Sequence, residues 1–196
     1  MVGMSLVVAQ IHDGGISLVA DTKITYGLTE IDNRFDESRT RRVFRNALPK
    51  LTILRDDLVV GVVDEVKKAQ PKLVNIRDQR VENILKELAN IDYASFVVAA
   101  LNPLLQLWKV SAGSIEEQSS VGRCWAGDRD AYEFFQQKYH EWPEGIGSTF
   151  RLMSSMQWLL NFNPVESVGG YLTMVATTSE GFRFIANRAT IGPWVS

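Results

Sequence analysis

The chain has 196 residues, 45% hydrophobic and 22% charged, which is enough apolar material for one globular domain spanning residues 1–196 with no long disordered segment. Basic and acidic residues number 21 and 23, so the formal charge of −2 provides no global field for nucleic acid or an anionic membrane surface. Cys124 is the sole cysteine, which excludes an intrachain disulfide and fits a reducing compartment; a cytoplasmic protein is expected.

Residues 5–11 and 15–25 are β-type apolar runs separated by His12-Asp13-Gly14-Gly15, and Asp-Gly and Gly-Gly supply the positive φ angles of a tight hairpin turn. The hairpin starts at residue 5, which predicts no signal peptide and places Ser5 inside the fold. Residues 23–30 read as a strand. Residues 31–47 then abandon periodicity, and the five arginines from Arg34 to Arg45, mixed with Asp36 and Glu37, read as a solvated excursion in preference to an anion site. Residues 50–54 and 58–63, joined by Arg55-Asp56-Asp57, form a second apolar pair. From Asp64 the pattern turns helical, with Val81, Ile84, Leu85 and Leu88 on one face, Asn90 as C-terminal cap and Pro71 breaking or kinking the segment near its start.

The longest apolar stretch, 91–110, carries Asp92, Asn102, Gln106 and Lys109, too polar for a membrane span; it reads as strands 93–101 and 104–110 around an Asn102-Pro103 turn. Further strands are expected at 114–118 and 121–126, the latter packing Cys124. Asp128 is a good N-cap for a helix that lines up Ala131, Phe134, Phe135 and Lys138 and ends at Trp142-Pro143. A helix over 149–162 carries a core stripe of Leu152, Met153, Met156, Leu159 and Leu160, and strands 170–178 and 181–188 meet at Ser179-Glu180. The apolar tail 191–195 should dock on the chain's own core or on a neighbouring subunit. Strands and helices in this order predict an α+β fold, a four-layer αββα sandwich of two antiparallel sheets. His12 and His140 lack partners at ligand spacing, and no phosphate-binding glycine loop or zinc pattern is present, so neither a metal nor another cofactor is expected.

The run Ser5 to Asp21, the segment Asp21-Thr22-Lys23-Ile24-Thr25-Tyr26-Gly27, the segment Pro49-Lys50-Leu51-Thr52-Ile53 and the element order resemble proteasome β-subunits and the HslV peptidase, members of the N-terminal-nucleophile (Ntn) hydrolases. The resemblance covers nearly the whole chain. In that family the nucleophile is the first residue of the mature chain, an aspartate follows sixteen positions later, and a lysine lies on the next strand pair. Ser5, Asp21 and Lys50 stand at those places. The resemblance implies Ser5 as nucleophile with its own α-amine as base, Lys50 tuning both, Asp21 holding Lys50, Lys23 in support and amides near Gly61 as the oxyanion hole. Gly127-Asp128-Arg129 stands where the family has an auxiliary Gly-Ser-Gly, which makes Asp128 a supporting candidate. Glu166 and Val168-Gly169 stand where it has Asp and Ser-Gly.

The implied activity is that of a threonine-type peptidase with an N-terminal Ser, hydrolysing polypeptide substrates inside a self-compartmentalised homo-oligomeric ring, with an ATP-dependent unfoldase as partner and no nucleic acid or membrane. The amine of Ser5 is free only once Met1 to Met4 are removed, by self-cleavage or by translation from Met4 and excision of that methionine. Alternatives are a catalytically silent proteasome-like structural or assembly subunit, and an Ntn amidase acting on a small molecule.

Overall fold

The computed structural model describes residues 5–23, 49–143, 145–162, 164–165 and 167–187. Within them the chain runs β1 (Leu6–His12), β2 (Gly15–Ala20), β3 (Leu51–Arg55), β4 (Leu58–Asp64), α1 (Val66–Ile76), α2 (Val81–Ala89), β5 (Ala94–Ala100), β6 (Gln106–Ser111), β7 (Ser114–Glu117), β8 (Arg123–Gly127), α3 (Arg129–Glu141), α4 (Ser148–Phe162), β9 (Thr173–Thr178) and β10 (Gly181–Asn187). The strands form two antiparallel five-stranded sheets, ordered β10-β9-β2-β1-β8 and β3-β4-β5-β6-β7.

Side-chain alternation along the strands sorts the core into three clusters. In β1, Val7 and Ala9 join Leu51, Val59, Val97 and Phe182 between the sheets, whereas Leu6 and Val8 join Phe135, Leu152 and Met156 of α3 and α4. In β4, Val59 and Val63 belong to the middle cluster, and Leu58, Val60 and Val62 lie with Ala69 and Leu73 of α1 and Ile84 and Leu88 of α2. One helix pair therefore covers the outer face of each sheet. Central strands buried on both faces need apolar residues at every position, which is why residues 58–63 of β4 and 96–100 of β5 carry no polar side chain and do not alternate.

The first hairpin forms with His12 opposite Gly15 and Asp13-Gly14 at the tip, and the positive φ falls on Gly15, at +125°, and not on Asp13 or Gly14. Asp128 caps α3, its Oδ1 accepting the Ala131 N–H at 2.9 Å. Pro71 does not end the helix expected around it; α1 runs through it, and the break comes at residues 77–80. Pro71 is exposed and forfeits a single backbone bond, while Val66, Ala69, Leu73 and Ile76 keep the helix seated on the sheet. On α3 the buried row is Ala131, Phe135 and Tyr139, at i, i+4 and i+8; Phe134 is 39% exposed and lies off that row. Of the strand expected at 23–30 only Lys23 is described, and it lies beyond the end of β2; residues 24–30, the arginine-rich excursion and the tail 191–195 lie outside the described residues. No helix among the described residues is long and apolar enough to cross a membrane.

Candidate active site

The hairpin register fixes the first half of the site. Val7 pairs with Ala20, so Leu6 comes to lie opposite Asp21, immediately after β2, and Ser5 sits at the strand mouth. The Leu6 N–H donates to Asp21 Oδ1 at 2.9 Å, and the Asp21 N–H returns a bond to the Leu6 carbonyl at 3.3 Å. The second half comes from the other sheet. Lys50 enters β3, its carbonyl held by the Val62 N–H of β4 at 2.8 Å, and its Nζ donates to Asp21 Oδ1 at 2.7 Å. Lys50 Nζ and the Leu6 amide thus share one carboxylate oxygen, which places the ammonium within two hydrogen-bond lengths of the nitrogen that follows Ser5.

Asp21 Oδ2 is also engaged, accepting the N–H groups of Lys23 at 3.2 Å and Gly169 at 3.3 Å. Ser5, Asp21 and Lys50 are 3%, 0% and 1% exposed, so a charged pair sits at the closed junction of the two sheets beside a nearly buried hydroxyl-bearing residue. Burial pulls the Lys50 ammonium below the usual lysine range, and Asp21 opposes that shift through its charge and its hydrogen bond.

Ser5 is held through its main chain. Its carbonyl accepts the Asp128 N–H at 2.8 Å, and Gly127, at φ +116°, lies so close that a Cβ there would collide with that carbonyl oxygen. Asp128 therefore reaches Ser5 by its backbone, its carboxylate being spent on the α3 cap. Lys23 likewise supports Asp21 by its amide, with its side-chain carbons against Gly169.

Gly61 pairs with Leu51, the residue after Lys50. It lies inside β4, where its missing side chain makes room for Val7 of the facing sheet. The residue of β4 at the site end is Asp64, an exposed side chain with φ +73° whose carboxyl is raised by partial desolvation, with Lys50 opposing the shift and Glu65 adding to it. Residue type alone does not reveal a left-handed aspartate. Gly127 and Gly169, whose contributions are positional, were picked out only by the family resemblance.

Two other polar centres are used internally. Gly14 N–H donates to His12 Nδ1 at 3.1 Å, which leaves the proton on Nε2, facing Ser17 Oγ at 2.9 Å; the imidazole is then a donor to that hydroxyl and no base for it. A groove of about 540 Å³ at the opposite end of β1 is lined by Gln10, Arg123 and Trp125, but Arg123 already bonds Gln10 and stacks on Tyr139. Among the described residues no group of three or more His, Cys, Asp or Glu is placed to hold a metal ion. A scan of protein-family models gave no match to this chain, and a search of curated proteins found none that matches it.

Proposed function

We propose that the chain is a proteasome β-subunit-like Ntn hydrolase that cleaves peptide bonds with Ser5 as nucleophile and assembles as a homo-oligomeric ring. The observation that supports this reading is the buried Lys50–Asp21 pair beside Ser5. Burying such a pair contributes little net stability and holds a positive charge in a water-poor site, which is a poor way to build a fold and a good way to perturb a nucleophile.

Once the bond between Met4 and Ser5 is cut, the α-amine, with an ordinary pKa of about 8, takes the Ser5 hydroxyl proton as Oγ attacks the substrate carbonyl. Lys50 stabilises developing negative charge on Oγ and disfavours protonation of the amine, and Asp21 fixes Lys50. The amine then hands the proton to the departing substrate amine, leaving an ester on Oγ that water hydrolyses by the same route in reverse. Because Val7 fills the space beside Gly61, donors for the oxyanion would come from where the chain leaves β4 at Asp64.

The test is hydrolysis of a fluorogenic peptide amide by purified protein whose N-terminal residue is read by intact mass. A chain beginning at Ser5 should cleave, and Ser5→Ala should lose at least about a thousandfold in kcat/KM. Equal activity of Ser5→Ala, or cleavage by a chain that begins at Met1, would overturn the reading.

A further inference from the structure

We infer that Asp64 sets substrate preference at this site, favouring peptides with a Lys or Arg side chain next to the bond that is cut. The inference rests on the reading of Ser5 as nucleophile. Asp64 closes β4 two residues beyond Val62, whose N–H holds the Lys50 carbonyl, so it stands at the rim of the junction that holds Lys50 and Asp21. It is the one non-glycine residue among those described with a positive φ, +73°. Aspartate tolerates that conformation less well than glycine does, so the position carries a carboxylate at some backbone strain, a pattern typical of functional sites.

Lys50 and the chain's amino terminus act on that carboxylate through their charge, but no described residue is bonded to it. Asp21 and Lys50 neutralise each other at 2.7 Å, and Glu65 pairs with Lys68 at 3.3 Å. Lys23 adds a positive charge near Lys50 but has interactions of its own. Among the described residues no cation or donor is bonded to Asp64, and its side chain is exposed. A substrate cation at the rim would meet a carboxylate to which no described residue is bonded.

Two fluorogenic peptides that differ only in Arg or Leu before the reporter amide test this, on wild type, Asp64→Asn, Asp64→Gly and Ser5→Ala. Wild type should prefer the Arg peptide, and both Asp64 variants should lower the Arg-to-Leu ratio of kcat/KM about fivefold, the scale of one partly exposed ion pair, with a smaller loss in high salt. The ratio is the readout because a general effect on backbone geometry acts on both peptides alike. Asp64→Gly relieves the strained angle, so a folded variant is secured. An unchanged ratio in both variants, with cleavage still abolished by Ser5→Ala, overturns this inference alone. No cleavage by wild type, or cleavage that survives Ser5→Ala, overturns the nucleophile reading and this inference with it.

Discussion

Cutting the Lys50–Asp21 pair from either side should destabilise the fold unequally, because the two partners are left in different company. Lys50→Met keeps the length of the side chain and removes its charge, leaving a fully buried Asp21 with the amides of Leu6, Lys23 and Gly169 at 2.9, 3.2 and 3.3 Å. Those three donors still satisfy the carboxylate, so the expected loss is about 3 kcal/mol, the low end for a broken buried pair. Asp21→Asn is worse. Its oxygen can face Leu6 and Lys50, but its NH2 then points at two N–H donors, and the Lys50 ammonium has lost its counter-charge; about 5 kcal/mol is expected. Either loss is a large part of a typical stability of about 5–15 kcal/mol. The double variant should lose about 2 kcal/mol less than the two singles together, because neither charge remains to be stranded. Urea unfolding followed by far-UV circular dichroism measures all four proteins. Single losses under about 1 kcal/mol, or strict additivity, would mean that the pair is solvated and that the electrostatic argument for the site is wrong.

Gly127→Ala should lower the melting temperature and disturb Ser5, since the new Cβ meets the Ser5 carbonyl at a φ of +116°; calorimetry showing an unchanged melt would contradict the close approach. Burial pulls the His12 imidazole below its ordinary 6.5, with Asp13 opposing, so its contribution to stability is complete above that value and is lost as pH falls below it. The slope of stability between pH 7 and 5 should therefore flatten in His12→Gln, read by denaturant titration across that range. Cys124 is buried and its thiol is pushed up to about 12, so iodoacetamide at mildly alkaline pH should label it only in denaturant; rapid labelling of native protein would place it at the surface.

What could be read from the residues depended on the range of the interactions involved. The hairpin turn and the Asp128 cap are local chemistry; the cap formed as expected, and in the turn only Gly15 took the positive φ. The Ser5 and Asp21 spacing is also nearly local, because the hairpin turn sets Leu6, the neighbour of Ser5, opposite Asp21. Lys50 comes from the facing sheet, and no periodicity in the sequence encodes that encounter; only the family resemblance pointed to it. Gly61 illustrates an ambiguity of residue type. A glycine inside a strand signals close approach, but it does not say of what, and here the neighbour is Val7 across the sandwich. Pro71 does not break α1, since four buried side chains of that helix outweigh one missing hydrogen bond. The left-handed backbone of Asp64 has no signature in its side-chain type at all.

Covalent capture tests the central claim most directly. Purified protein is treated with a peptidyl β-lactone, an acylating electrophile, and intact mass followed by peptide mapping locates the adduct. The account predicts one acyl group per chain on Ser5, absent from Ser5→Ala and strongly slowed in Lys50→Met. An unmodified Ser5 in a chain whose Ser5 amine is free, or an adduct carried by another residue, would contradict it.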